Sequence, residues 1–163
     1  MNINDYLPLL NAVIITDVFF MLLMNLGVIN SKVLKEWYRS YNLSAVIADV
    51  LIIMIVILIT KKIYNYIFKE FSLNKFIILA LIIQIIHDIL FYILITIIPK
   101  GSNRMIDTFK DYAKEVSYGA IIGDSLMIIT ACILFNYFEK MDINTNIIIL
   151  IVSLYILPYI LNN

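Results

Sequence analysis

Apolar residues dominate the chain in five long runs, and short connectors rich in charged and aromatic residues separate them. A helix that spans a bilayer needs about 20 mostly apolar residues. The five runs cover residues 7–29, 43–60, 75–98, 117–138 and 143–161. The pattern predicts an all-α fold, a polytopic membrane helix bundle of about five transmembrane helices that forms a single transmembrane domain over residues 1–163.

The connector at residues 103–116 has a different pattern. Its apolar residues recur with the helical period, and its charged residues lie on the opposite side. The apolar face consists of Met105, Ile106, Phe109, Tyr112, Ala113 and Val116. We expect one amphipathic helix here, lying in the plane of the membrane interface. The alternative is that this helix packs on the bundle, since the pattern does not distinguish lipid from protein.

Composition supports a membrane protein and excludes other classes. Hydrophobic residues make up 63% of the chain and charged residues 15%, whereas a soluble domain is about half apolar and about a quarter charged. Twelve basic residues balance twelve acidic ones, so no basic field exists to bind nucleic acid. The lipid bilayer is therefore the predicted partner, and a second copy of the chain or other membrane proteins are further candidates.

The basic residues of the connectors predict an orientation. We call the side that holds residues 30–42 and 99–116 the connector face. It carries seven basic residues, and the opposite face carries five. Cytoplasmic loops are usually the richer in Lys and Arg, so we expect the connector face in the cytoplasm and the N-terminus outside. Trp37 and Tyr38 precede the second run on this face, and we interpret them as aromatic side chains at the membrane–water interface.

Four of the five apolar runs contain one aspartate each: Asp17, Asp49, Asp88 and Asp124. A carboxylate in hydrocarbon costs about 2.5–3.5 kcal/mol even on the lenient insertion scale. Because neighbouring runs are antiparallel, the four depths can be compared, and at about 1.5 Å per residue all four lie roughly 9–18 Å from the connector face. We expect these side chains to point into the bundle and to converge in one layer.

The surroundings of the aspartates suggest an internal repeat. Residues 45–51, AVIADVL, resemble residues 120–126, AIIGDSL. Asp17 and Asp88 are 71 positions apart, and Asp49 and Asp124 are 75 positions apart. This spacing is typical of two helical hairpins related by an axis along the membrane normal, although short matches also arise by composition in a chain so rich in isoleucine.

The third run adds polar residues to the aspartates. Gln84, Asp88, Tyr92 and Thr96 follow one another in steps of four, which predicts a polar stripe along one helix face. His87 flanks this stripe. The His–Asp pair could serve as a proton relay or as part of a divalent metal site, or these groups could simply form hydrogen bonds between helices. The predicted intramembrane polar cluster is Asp17, Asp49, Gln84, His87, Asp88, Tyr92 and Asp124, with no cofactor and with metal binding left open.

Several short stretches resemble uncharacterised multi-span membrane proteins of nucleocytoplasmic large DNA viruses. The resemblance spans roughly residues 37–130. It lies in Trp37-Tyr38, Leu43-Ser44-Ala45, Ala48-Asp49, Gln84, His87-Asp88, Phe91-Tyr92, Pro99-Lys100-Gly101, Asp107, Phe109-Lys110, Tyr112-Ala113, Glu115 and Asp124-Ser125. It implies a viral origin and a location in a host or virion membrane, and it implies no activity.

Three functions are compatible with these patterns. The first is a structural or membrane-organising protein in which the aspartates connect helices, and we favour it because it asks least of the sequence. The second is a small cation or proton channel or transporter that uses the four aspartates and His87. The third, an intramembrane enzyme, is the weakest, because neither a His-Glu-x-x-His spacing nor glycines after Asp17, Asp49 and Asp88 occur. We therefore do not expect an enzyme.

Overall fold

The structure is a computed structural model that describes residues 3–162, with side chains from residue 6 onward. In this part of the chain every regular element is an α-helix. The seven helices are α1 (Ile3–Asn25), α2 (Lys32–Tyr41), α3 (Leu43–Ile67), α4 (Leu73–Ile97), α5 (Arg104–Val116), α6 (Gly119–Phe138) and α7 (Ile143–Leu161). The prediction of an all-helical membrane bundle is thus confirmed.

Five of these helices, α1, α3, α4, α6 and α7, are long and apolar enough to cross a membrane. Their bounds differ by a few residues from the predicted runs. The largest difference is at α3, which continues past the predicted end at residue 60 to Ile67. Helix α1 ends at Asn25 instead of continuing to residue 29, because Gly27 adopts a left-handed φ of 78° and turns the chain. The bundle exposes large apolar side chains, as a lipid-facing surface does: on α4, Ile86 and Leu90 are 52% and 61% exposed.

Four spanning helices form a ring in the order α1, α3, α4, α6, and α7 packs on the outside of α1. A buried amide pair fixes α7 there: the Asn11 side-chain amide donates to the backbone carbonyl of Asn146 at 2.8 Å and to its side-chain oxygen at 3.0 Å. Asn146 in turn donates to the carbonyl of Phe138 at 3.0 Å. In lipid such hydrogen bonds between helices have no competition from water, so they hold α7 in place.

The helices on the connector face number two, not one. The pattern of apolar residues predicted α5, whereas no helix was predicted at Lys32–Tyr41. Helix α2 begins at Ser31, whose hydroxyl accepts a hydrogen bond from the Leu34 amide at 3.0 Å. Its apolar residues Leu34, Trp37, Tyr38 and Tyr41 follow the i, i+3, i+4, i+7 pattern, which is the signal that would have revealed the helix.

The first six helices fall into two halves with the same order: spanning helix, amphipathic helix, spanning helix. In each half the amphipathic helix joins the next spanning helix through one non-glycine residue with positive φ, Asn42 at 46° and Ser117 at 50°. Each of these residues donates its amide to the carbonyl four positions earlier. Asp49 and Asp124 each lie seven residues after this junction, and α5 is one turn longer than α2.

Candidate polar site beneath the connector face

Tyr38 of α2 reaches into the bundle and connects two aspartates. Its hydroxyl lies 2.9 Å from Oδ1 of Asp17 on α1 and 2.9 Å from Oδ2 of Asp49 on α3. The indole nitrogen of Trp37 also donates to Oδ2 of Asp49, at 3.1 Å. Asp17 is completely buried, and Tyr38 is 6% exposed. Three helices therefore meet at one hydroxyl group.

The number of hydrogens at this contact limits the charges of the two acids. Tyr38 has one hydroxyl hydrogen, so it can donate fully to only one of two ionised carboxylates. A second buried carboxylate at 2.9 Å would meet the tyrosine oxygen with no hydrogen between them. The contact is satisfied when Asp17 is protonated and donates to Tyr38, and Tyr38 donates to Asp49. Oδ2 of Asp17 has no partner among the described residues, which a neutral acid tolerates better than an ionised one.

Tyr38 itself lies outside the spanning segments, in α2. Burial raises the pKa of its hydroxyl well above the usual value, and the nearby carboxylates of Asp49 and Asp17 add to the increase. Tyr38 is therefore protonated at neutral pH, where its hydroxyl links the two acids by hydrogen bonds.

Asp88 forms a separate contact, and its partners lie on its own helix. The Gln84 side-chain amide donates to Oδ1 of Asp88 at 2.6 Å, and Nδ1 of His87 lies 3.2 Å from the same oxygen. Oδ2 of Asp88 and the side-chain oxygen of Gln84 are buried without a partner in the part of the chain that the structure describes. Because both bonds are within α4, this group does not connect one helix to another.

Asp124 of α6 lies between these two groups. The carboxylates of Asp88 and Asp49 are close enough to interact with it electrostatically. It forms no hydrogen bond with any described group. Tyr112 of α5 faces the same region: burial, followed by the charges of Asp124 and Asp49, raises the pKa of its hydroxyl. The aspartates therefore belong to two separate hydrogen-bonded groups, that of Asp17 and Asp49 and that of Asp88, and Asp124 lies near the carboxylates of both.

Tyr92, the remaining residue of the predicted cluster, does not join it. Its side chain is 59% exposed, among the apolar residues that face lipid. The neighbouring Thr96 donates to the Tyr92 carbonyl at 2.7 Å, a bond within the helix. The predicted polar stripe therefore divides. Gln84 and Asp88 point inward, whereas Tyr92 points outward, because four residues advance by 400° and the face rotates along the helix.

Trp37 and Tyr38 were predicted to lie at the membrane–water interface, and the structure shows that their side chains face the bundle. Both are buried, with 3% and 6% exposure, and both bond to the aspartates. Aromatic side chains at the interface and aromatic side chains that pack into the bundle have the same residue types and the same place before a span, so the sequence alone could not separate them. The helical period of the apolar residues of α2 was the one pattern that could have indicated that these side chains face the bundle.

Helices α2 and α5 lie side by side and together cover the aspartates; we call this pair the lid. Phe109 of α5 packs on Trp37, with ring centres 4.6 Å apart, and on Phe91 of α4 at 5.1 Å. The Tyr41 and Thr108 hydroxyls are 3.0 Å apart. The apolar face of α5 therefore packs on the bundle, which was the alternative interpretation of its stripe.

Glu115, near the end of α5, holds the beginning of α2. Its carboxylate accepts hydrogen bonds from the Ser31 hydroxyl at 2.9 Å, from the Lys32 amide at 2.8 Å and from the Val33 amide at 2.9 Å. Free amides and the positive end of the helix dipole make a helix N-terminus a favourable place for an anion. The Val33 amide is the first of several donors that lower the pKa of Glu115.

The described residues offer a metal ion few ligands. His87 and Asp88 supply one nitrogen and one carboxylate, and among residues 6–162 no three His, Cys, Asp or Glu side chains come close enough together to hold an ion. The divalent-metal interpretation of this pair therefore gains no third ligand from the structure.

Comparisons with protein-family models, with curated proteins and with solved structures find no match for this chain. The resemblance to viral membrane proteins is not tested by them and stays a prediction.

Proposed function

We propose that this multi-pass membrane protein organises or shapes the bilayer that holds it. Support comes from the uneven distribution of its helices. In the described residues, five helices cross the bilayer, and two more lie at the connector face. Asp49, which bonds Trp37, lies about 9 Å into α3, and Phe91, which contacts Phe109, lies about 9 Å from the end of α4. Amphipathic helices settle about 5–10 Å into the headgroup region. The residues that the lid contacts lie at this depth, so the lid is embedded in one leaflet only.

The observation that carries the proposal is the bond from Tyr38 and Trp37 to the aspartates, because it fixes α2 among the ends of the spanning helices. A lid held there widens the protein in one leaflet only. Such a wedge expands the leaflet at the connector face, so the bilayer bends away from that leaflet and its surface there becomes convex. Several copies side by side would add their effects. Self-association in the membrane is therefore part of the proposal, and a viral origin would place the assembly in a virion or host membrane.

Reconstitution into liposomes tests this function. With increasing protein-to-lipid ratio, we expect electron microscopy to show smaller vesicles or tubules than in protein-free liposomes. The double variant Trp37→Ala and Phe109→Ala, which loosens the lid, should reduce the effect. Tyr66→Ala, which removes an aromatic ring that is 84% exposed on the other face, is the matched control and should keep it. Vesicles of unchanged size at every ratio would contradict the proposal.

A second candidate function is proton-linked transport, and the shared proton of Asp17, Tyr38 and Asp49 favours it. Tyr38 also lines a cavity of about 590 Å³ at the connector face, between the ends of α1, α2 and α7. A second cavity, of about 110 Å³, lies at the opposite face beside Tyr64 and Glu139. A carrier would need proton-binding acids between two such openings.

Flux measurements distinguish the two functions. If the aspartates only connect groups inside the bundle, proteoliposomes should show no proton or cation flux above that of empty liposomes, and Asp88→Asn should change nothing. Flux that Asp88→Asn abolishes, while the isosteric surface variant Asp111→Asn retains it, would replace the structural function with transport. Asn keeps the shape and hydrogen bonding of a protonated Asp but binds no proton, so the comparison isolates the proton.

A further inference from the structure

The cavity at the connector face has a lining unlike the rest of the bundle. It measures about 590 Å³, within the range of about 300–1,000 Å³ that is usual for small-molecule sites. It lies where α1 and α7 end and α2 passes over them. Basic and amide side chains form its polar wall, namely Lys35, Arg39, Asn25, Asn42 and Asn162. Apolar side chains form the other wall: Met21, Met24, Ile160 and Leu161.

The two cations of this wall are not used by the fold. Lys35 and Arg39 are four residues apart, so they project from the same face of α2. Within residues 6–162 neither side chain forms an ion pair, and no aspartate or glutamate of that segment lines the cavity. Other basic residues of this face are engaged, as Lys100 and Lys114 are with Asp111. Two uncompensated positive charges one helical turn apart are a typical arrangement for a phosphate group.

The surroundings favour a lipid as the source of that phosphate. The cavity lies at the ends of spanning helices, at the level of the lipid headgroups, and its apolar wall is formed by the last turns of α1 and α7. Basic pockets between transmembrane helices bind anionic headgroups by this combination of charge and apolar contact. A soluble phosphate would use the basic wall and leave the apolar wall exposed.

We propose that this cavity binds the phosphate headgroup of an anionic phospholipid from the leaflet at the connector face, with Lys35 and Arg39 as the charged contacts. The amide groups of Asn25, Asn42 and Asn162 supply further polar contacts around the headgroup, and the first acyl segments lie against the apolar wall of the cavity. This binding does not depend on whether the protein bends membranes, since a flat bilayer offers the same headgroups.

Thermal unfolding of the full chain in detergent, with added short-chain lipid, tests the proposal. A ligand that binds the folded state raises the unfolding temperature with concentration, and this dependence gives an apparent Kd. Dioctanoyl phosphatidylglycerol should stabilise the protein, and dioctanoyl phosphatidylcholine should do so much less. The double variant Lys35→Gln and Arg39→Gln should bind phosphatidylglycerol about 30-fold more weakly, from about 1 kcal/mol per basic residue.

Three comparisons make the outcome decisive. The variant Lys62→Gln with Lys69→Gln removes two exposed charges at the opposite face and should bind as the unmodified protein does; an equal loss there would overturn the site, because it would show only general attraction. The exchange Lys35→Arg with Arg39→Lys keeps both charges and should keep binding. If the neutral variant fails to fold, this variant still tests the site, and a loss of binding by it would count against the proposal. Inorganic phosphate alone should stabilise little, and stabilisation equal to that by phosphatidylglycerol would overturn the lipid assignment.

Discussion

Tyr38→Phe should lower the free energy of unfolding by about 3 kcal/mol, the largest effect that we expect from the loss of a single atom in this protein. The phenyl ring fits the same space, but Asp17 and Asp49 lose the hydroxyl that lies 2.9 Å from each of them. The buried carboxyl group of Asp17 and the half-buried one of Asp49 are then left with fewer hydrogen-bond donors. Unfolding of the purified protein in detergent, followed by circular dichroism, measures the change.

Tyr41→Phe is the matched control for this prediction. It removes a hydroxyl from the same helix whose partner is the neutral Thr108, so it should cost only about 0.5–1.5 kcal/mol. The pair Tyr38→Phe with Asp17→Asn should cost less than the sum of the two single changes, because with Asn at position 17 only one acid loses the hydroxyl as its donor. If Tyr38→Phe costs no more than Tyr41→Phe, the hydroxyl does not link the two acids.

Glu115→Gln should release the beginning of α2 and make stability less dependent on acid pH. The carboxylate accepts three hydrogen bonds at that helix end, and they hold its folded-state pKa below the ordinary value of 4.5. Such a group stabilises the fold fully above its unfolded pKa and loses this contribution as pH falls through the folded pKa. Since the carboxylate is exposed, we expect the variant to cost only about 1 kcal/mol at neutral pH.

The test is the difference in the free energy of unfolding between the unmodified chain and Glu115→Gln. Unfolding measured from pH 7 downward should show the gap between the unmodified chain and Glu115→Gln beginning to close as the pH falls below 4.5 and closing fully below the folded-state pKa of Glu115, since protonated Glu and Gln are equivalent there. Glu36→Gln, which alters an exposed glutamate of α2 bonded only to Ser40, should follow the unmodified chain throughout. A gap between the unmodified chain and Glu115→Gln that persists at low pH would show that Glu115 acts by packing and not by its charge.

The spanning helices could be predicted from the sequence because the bilayer imposes a length and a polarity that a linear pattern records directly. The amphipathic helix α5 was found for a similar reason, since 13 residues give its period time to appear. Helix α2 is only 10 residues long, and its three basic residues hide a short apolar stripe. Its residues were therefore assigned to the interface and not to a second amphipathic helix.

The partners of the aspartates could not be predicted in the same way. Tyr38 lies 21 positions from Asp17 and 11 from Asp49, and no local period connects them; they meet only because α2 folds back over α1 and α3. Depth along the helices indicated which aspartates share a layer. It did not indicate that Tyr92 rotates toward lipid while Asp88 stays inside, because the packing of α4 on α3 and α6 determines that rotation.

The two halves with the same helix order have a consequence for how such a chain could arise. Each half crosses the bilayer twice and therefore starts and finishes at the same surface. A second copy joined in tandem to the first enters the membrane in the same direction, with its amphipathic helix at the same face and its aspartates at the same depth. Duplication of one short coding segment would thus produce the ring of four spanning helices without any inversion, and α7 alone carries the C-terminal end to the other side.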